Sequence, residues 1–112
     1  TDGSGNLDWI YPAGQGNAPI SITTATYTVA ATDIYLIANR AGTVTLTLPT
    51  ASSNSGRVIT VKNVQAQTVI SASSNVVPIG STTAGTAILA ATAGKFAQLV
   101  SDGTNWIIMQ AN

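Results

Sequence analysis

The 112-residue sequence contains no cysteine, no histidine and no glutamate, and only 7% of its residues are charged. Without Cys and His, the chain can form no disulfide, has no imidazole for acid–base catalysis and lacks the usual ligands of structural zinc. Four Lys and Arg balance four Asp, so the net charge is zero. We therefore expect neither nucleic acid nor an anionic membrane surface as a partner. No apolar run approaches the roughly 20 residues of a membrane-spanning helix, so membrane insertion is not expected either.

Uncharged polar side chains take the place of the missing charges. The chain contains 17 Thr, 10 Ser, 8 Asn and 5 Gln. A typical soluble domain is about 25% charged, so hydroxyls and amides must hydrate most of this surface. Because 45% of the residues are hydrophobic and the net charge is zero, little electrostatic repulsion keeps copies apart. We expect the chain to form an oligomer.

The N-terminal segment, 1–20, differs in composition from the rest of the chain. It is rich in Gly, Pro and Asn, and it contains one short apolar segment, Trp9–Tyr11. This composition predicts a hairpin and linker over residues 1–20. Since the sequence opens on a turn signal, we expect the polypeptide to continue upstream of Thr1. Residues 21–112 are predicted to form a separate C-terminal β-domain.

From Ile20 onward, short β-prone runs alternate with turn residues every 8–12 positions, a pattern typical of an all-β fold. The clearest strand is Thr43–Leu48, in which Val44, Leu46 and Leu48 face one side and threonines face the other. Further strands are predicted at residues 26–29, 34–39, 57–64, 68–71, 76–79, 86–90, 96–101 and 106–110. We predict an antiparallel, jelly-roll-like β-sandwich of about eight short strands.

Two of these strands, Val58–Val64 and Trp106–Met109, are apolar on both faces. A second layer or another subunit must cover their outer side. Trp106 and Phe96 are predicted to lie in the core. Tyr11 and Tyr35 could instead lie at the surface, where an aromatic ring beside amides can stack on a sugar.

Catalytic chemistry has little support in the sequence. The four aspartates are Asp2, Asp8, Asp33 and Asp102, and two of them lie in Asp-Gly turns, where a carboxylate ordinarily caps the turn. No base is present to activate one of the many hydroxyls. The turn 102–105 offers a single acid, too few for a good calcium site. We predict a protein that is not an enzyme, with no cofactor and no bound metal.

Two segments share the order hydroxyl, Asp-Gly, Asn, Trp: residues 1–9 and residues 101–106. Two copies are too few for a repeat protein. The further segments Tyr27-Thr28-Val29, Thr32-Asp33, Leu46-Thr47-Leu48-Pro49, Gly56-Arg57, Val61-Lys62-Asn63 and Ile79-Gly80 follow in order. Together these pieces resemble the C-terminal domain of bacteriophage tail fibres and related virion appendage proteins. The resemblance implies a homotrimeric knob at the end of a fibre, outside the cell as part of the virion, which attaches the virion to its host. It also implies that residues 1–20 are the end of an upstream shaft or fibre segment.

Recognition in such a domain is expected in loops, because strands carry the fold. The loops at residues 51–56, 72–75 and 81–85 are the candidates. Their proposed receptor-binding residues are Ser52, Ser53, Asn54, Ser73, Ser74, Asn75, Thr82 and Thr83. The expected partners are two further copies of the chain, other tail proteins, and a host surface glycan or protein.

Two alternatives stay open at the level of sequence. The domain could serve only to trimerise and cap a fibre whose recognition site lies elsewhere. It could also be a carbohydrate-binding module of a secreted bacterial protein, which would be a monomer.

Overall fold

The computed structural model describes residues 18–112, so most of the predicted hairpin and linker, and the first Asp-Gly segment, lie outside the described residues. The described part is built from ten strands and one short 3₁₀ helix, Ala51–Ser53. The strands are β1 (Ile20–Ile22), β2 (Thr26–Thr28), β3 (Tyr35–Ala38), β4 (Val44–Thr47), β5 (Val58–Asn63), β6 (Val69–Ser71), β7 (Val76–Val77), β8 (Ala87–Leu89), β9 (Phe96–Ser101) and β10 (Trp106–Ala111).

The strands form two sheets, and the chain crosses from one sheet to the other after nearly every strand. The six-stranded sheet has the order β1-β3-β5-β9-β10-β7, and the four-stranded sheet has the order β2-β4-β6-β8. Odd-numbered strands up to β9 lie in the first sheet and even-numbered strands up to β8 in the second. Side chains from the inner faces of both sheets form one hydrophobic cluster, so the two sheets pack as layers around a common core.

The first six strands wind in one direction. Strand β1 pairs in parallel with β3, and β3 with β5, while β2 pairs in parallel with β4, and β4 with β6. Ile20 lies opposite Leu36 in the larger sheet, and Thr26 lies opposite Thr45 in the smaller one. Each turn of the chain therefore adds one strand to each sheet beside the strands of the turn before.

The C-terminal hairpin completes the larger sheet by inserting between β5 and β7. Strand β9 runs antiparallel to β5, with Ile59 opposite Leu99, and β10 runs antiparallel to β9. Strand β10 then pairs in parallel with β7, with Trp106 opposite Val76. The last strands thus close the stack that the parallel winding begins.

The predicted all-β class with two sheets is confirmed, but the antiparallel, jelly-roll-like pairing is wrong for most of the described strands. Five of their eight strand pairings are parallel. Alternation with period two fixes which face a side chain takes, but it carries no information on the direction of the neighbouring strand. Successive strands here enter different sheets, so each parallel neighbour lies a full turn away along the chain.

Nine predicted strands match the positions of β2 to β10 to within a few residues. The described residues contain ten strands, more than the predicted total of about eight, and β1 has no counterpart among the predicted ranges. Its first residue, Ile20, had been assigned to the linker. Three residues that follow Pro19 are too few to show alternation, and Ile20–Ile22 is placed by its pairing with β3 rather than by its own composition.

The core follows the predicted alternation where the pattern was strongest. Val44 and Leu46 are fully buried and Leu48 nearly so, as predicted. Trp106 is also fully buried, which confirms its assignment to the core. Phe96 is only half-buried, so its assignment to the core is wrong. It pairs with Lys62, whose side chain is exposed, on the outward-facing side of the six-stranded sheet.

Two neighbouring residues of β4 provide a test of this layer arrangement. Leu46→Ala is expected to lower the free energy of unfolding by about 2–5 kcal/mol, because it leaves a cavity between the sheets. Thr45→Ala removes a half-buried side chain from the opposite face of the same strand, and its cost should stay within about 1 kcal/mol. Urea unfolding of both variants measures the difference. Equal costs would contradict the assignment of faces.

Candidate functional site

Four connections between strands lie at one end of the fold. The parallel strands of the winding point in the same direction, so the chain returns between the sheets at the same end in every turn. Residues 29–34, 48–57 and 72–75 make these returns. The hairpin turn at residues 102–105 joins them, because β9 ends and β10 begins at that end of the larger sheet. We call these four segments the loop end.

Trp106 holds two of these loops from within. Its indole Nε1 donates a hydrogen bond to the carbonyl oxygen of Pro49 at 2.9 Å, and its backbone N–H donates to the carbonyl oxygen of Asn75 at 2.7 Å. The ring itself is fully buried. A rigid, buried aromatic residue therefore fixes the positions of both the 48–57 and the 72–75 connections.

A buried serine joins the hairpin turn to the longest loop. The Ser101 hydroxyl donates to the carbonyl oxygen of Ala51 at 2.7 Å and accepts the backbone N–H of Gly103 at 3.2 Å. The carbonyl oxygen of Ser101 accepts the N–H of Gly56 at 2.8 Å. Since buried polar groups are costly to leave without partners, these contacts keep the turn against the loop.

Arg57 binds backbone carbonyls of a third connection. Its Nη2 atom donates to the carbonyl oxygens of Ala30, at 2.6 Å, and of Asp33, at 2.8 Å. Its Nη1 atom donates to Oδ1 of Asn54 at 3.4 Å. The fork of guanidinium donors suits several acceptors at fixed angles, so one side chain connects residues 30–33 with the 48–57 loop.

Asp33 and Tyr27 form a polar pair beneath the same turn. One carboxylate oxygen, Oδ2 of Asp33, accepts the Tyr27 hydroxyl at 2.5 Å and the backbone N–H of Ala30 at 2.8 Å. The Asp33 carboxylate therefore shapes the turn that begins at Ala30. The hydrogen bond to the carboxylate, burial and the nearby negative charge together raise the pKa of Tyr27 from 10.0 to about 12. At neutral pH the phenol therefore stays protonated and acts as a donor.

The hairpin turn predicted at residues 102–105 is confirmed. Oδ1 of Asp102 accepts the N–H groups of Thr104, at 2.9 Å, and of Asn105, at 2.8 Å. These two bonds, that from Asn105 most strongly, hold the pKa of Asp102 below its ordinary value. Gly103 has a φ of 92°, a backbone conformation that favours glycine. The carboxylate is thus occupied in shaping the turn.

The eight predicted receptor-binding residues divide by exposure. The hydroxyl side chains are exposed: Ser52, Ser53, Ser73, Ser74, Thr82 and Thr83. The two amides are half-buried and bonded within their own loops. Nδ2 of Asn54 donates to the carbonyl oxygen of Thr50 at 2.8 Å, and Oδ1 of Asn75 accepts the Ser71 hydroxyl at 2.6 Å. The amides shape the loops, and the hydroxyls are presented to solvent.

The fold brings together two of the three predicted loops. Trp106 bonds to both the 48–57 and the 72–75 connections. Residues 81–84 belong instead to the connection that leaves β7 at the opposite end and returns to the bridge between Val76 and Gly85. Sequence reasoning omitted Asp102 and Thr104, which are exposed on the hairpin turn at the same end. The signal that could have identified them is the Asp-Gly turn directly before Trp106. Trp106 begins β10 and bonds to the 48–57 and 72–75 connections, so the turn before it must lie at the same end of the sheet as those loops.

The exposed groups at the loop end are mainly hydrogen-bond donors and acceptors. Within residues 18–112, no three Asp, Glu, His or Cys residues are grouped so that they could hold a metal ion. The carboxylates of Asp33 and Asp102 both already accept backbone N–H groups. Also within this range, no helix has the length and apolar character needed to cross a lipid bilayer.

Comparison with known proteins gives no match to a family model, to a curated protein or to a solved structure.

The Tyr27–Asp33 pair predicts a loss of stability at high pH. The pKa of Tyr27 is raised in the folded state, so its contribution is complete below pH 10.0 and is lost as pH rises to about 12, because the unfolded chain releases the proton first. Tyr27→Phe should show a smaller decrease in the free energy of unfolding over this interval. Asp33→Asn should return the pKa of Tyr27 towards 10.0 in an ultraviolet titration. Identical alkaline profiles for the wild type and Tyr27→Phe would contradict the assignment.

Proposed function

We propose that this chain is the tip domain of a bacteriophage tail fibre, a homotrimer without enzymatic activity that attaches the virion to a glycan or protein on the host surface. Other virion tail proteins would carry it, outside the cell. The observation that carries the proposal is the loop end, where exposed serine hydroxyls from two loops stand on a buried framework that includes Trp106. Such a surface is rigid underneath and polar outside.

The chemistry of the loop end favours a glycan among the possible receptors. Exposed hydroxyls of Ser52, Ser53, Ser73 and Ser74 can donate and accept hydrogen bonds, as sugar hydroxyls do. None of these side chains carries a charge, so long-range attraction adds little and each contact is weak. Three copies on one fibre would raise the overall affinity through a high effective concentration.

Bulky substitutions at the loop end test the receptor proposal. The double variant Ser53→Arg, Ser73→Arg is expected to weaken adsorption to host cells by about tenfold or more, because hot-spot contacts lie at the centre of an interface. The matched control is Thr92→Arg, an exposed residue in the connection between β8 and β9 at the opposite end. Circular dichroism and solution mass confirm that the variants keep their fold and assembly. Unchanged adsorption of the double variant would contradict the proposal.

A purely structural role is the second candidate, and the outer face of the six-stranded sheet favours it. Val58, Val100 and Ile107 lie side by side on neighbouring strands. Val100 lies opposite Val58 on one side and opposite Ile107 on the other, so the three side chains make one apolar row on the face that points away from the core. Val58 in this row is 37% exposed. Apolar rows of this kind are typical of surfaces buried between subunits, so this face is proposed to contribute to trimer formation.

Solution mass separates the candidate roles. The wild-type chain of 11.3 kDa is expected to have about three times this mass in multi-angle light scattering. Val58→Lys should shift the mass towards the monomer, because it buries an unpaired charge. Val64→Lys is the matched control, since Val64 is 46% exposed but lies after the end of β5. A monomeric wild type that binds glycan would favour the carbohydrate-binding module instead, and a trimer that adsorbs to no host surface would favour the structural role.

A further inference from the structure

Two uncharged polar side chains are buried at the end of the fold opposite the loop end. Asn63 is the last residue of β5, and Gln67 lies in the connection from β5 to β6. Asn63 is fully buried and Gln67 is only 2% exposed. We call the end of the fold at which they lie the base end. Because buried polar groups are costly to leave unpaired, their hydrogen bonds indicate what the base end can bind.

Alternation along the strands places the two side chains between the sheets. Asn63 continues the inward row of Ile59 and Val61 in the six-stranded sheet, and all three residues are fully buried. Gln67 lies two residues before Val69, which faces the core from the four-stranded sheet. The two amides therefore come from opposite layers and lie at one end of the hydrophobic cluster.

Backbone contacts fix the orientation of the Asn63 amide. Its Nδ2 atom donates to the carbonyl oxygens of Gln67, at 2.7 Å, and of Ala90, at 3.0 Å. A rotated amide would place Oδ1 against two carbonyl oxygens, neither of which can donate, so the contacts allow only this orientation. Oδ1 of Asn63 is consequently a buried acceptor with no donor among the described residues.

The side-chain amide of Gln67 lacks a partner at both of its polar atoms. Nε2 and Oε1 are buried, and neither forms a hydrogen bond with a described residue. The backbone carbonyl of Gln67 accepts the Asn63 amide, so the two side chains belong to one small region. This region combines two acceptor oxygens with one NH₂ donor, all without partners in the described part of the chain.

We propose that Asn63 and Gln67 bind an internal water molecule between the two sheets. Water both donates and accepts, so one molecule can donate to Oδ1 of Asn63 and bond to the Gln67 amide. A cation suits the oxygens but not Nε2, and an anion suits Nε2 but neither oxygen. Buried waters bond to polar groups that are otherwise unsatisfied, typically about three of them. The proposal concerns the interior of the domain and does not depend on its receptor.

The bound water completes the contacts that join two connections at the base end. Asn63 bonds within its own connection to Gln67 and, in the connection from β8 to β9, to Ala90. Its backbone N–H also donates to the carbonyl of Lys95, and its carbonyl accepts the N–H of Gly94, both at 2.8 Å. A water on Oδ1 therefore holds the one amide that connects these segments.

Water–protein NMR of the full chain tests the proposal without any substitution. The side-chain amide protons of Asn63 and Gln67 should show cross-peaks to a water that stays bound for longer than the protein takes to tumble. Rotating-frame spectra distinguish such a water from proton exchange by the sign of the cross-peak. The exposed side-chain amide of Gln110 is the control in the same sample, because it contacts only rapidly exchanging surface water.

Gln67→Met tests whether this amide holds the water. Methionine keeps the length of the side chain but has no NH₂ donor and only a weak acceptor. We expect loss of the water cross-peak at Asn63 and a lower midpoint of urea unfolding, because Oδ1 of Asn63 is then left unpaired. Gln110→Met, at an exposed position, is the matched control and should change neither.

Three results would overturn the proposal. One is the absence of a long-lived water cross-peak at Asn63 and Gln67 in the wild type, a result that does not depend on the folding of any variant. Another is a cross-peak at Asn63 that persists in Gln67→Met. The third is a higher urea midpoint for Gln67→Met, which means that the amide is unpaired and that an apolar side chain removes its desolvation cost.

Discussion

The fold depends on the burial of Trp106 at the point where its two halves meet. The parallel winding of β1 to β6 builds both sheets in one direction, and the β9–β10 hairpin has to insert beside it in the other. Trp106 begins β10, fills the core, and bonds through two N–H groups to Pro49 and Asn75. The same residue therefore fixes the hairpin, the register of β10 against β7, and two loops at one end. A change at this side chain would disturb the core and the loop end together.

The charged side chains at the loop end bond to the backbone. Asp33, Arg57 and Asp102 all bond to backbone groups of the connections, where each satisfies N–H or C=O groups that a strand would otherwise pair. These three charged side chains thus fix the backbone of the loops. Neutral hydroxyls are left to solvate much of the surface, and a hydroxyl can be buried at a smaller desolvation cost than a charge.

Sequence patterns predicted the positions of strands well and their partners poorly. The alternation of Val44, Leu46 and Leu48 and the Asp-Gly turn before Trp106 are local signals, and both correspond to the structure. Strand direction is not local: the parallel contact between β3 and β5 joins segments a full turn of the chain apart, and only the whole core decides it. The role of Arg57 was missed for the same reason, because the carbonyls that it binds belong to a different connection, far from it in sequence. Exposed serines could be located in loops, but not the end of the fold at which those loops would meet.

In this winding the strands that form the core are constrained, whereas the connections at the loop end can differ in length. Each turn contributes short strands whose inward side chains pack in the common core, while its return at the loop end takes six residues in one turn and ten in the next. Lengthening such a return costs little, since loop-closure entropy grows only slowly with length. The strands themselves have no such freedom, because each additional turn must match the register of the one before. A domain built in this way can change its loop end without rebuilding its core, which is the property that a recognition surface requires.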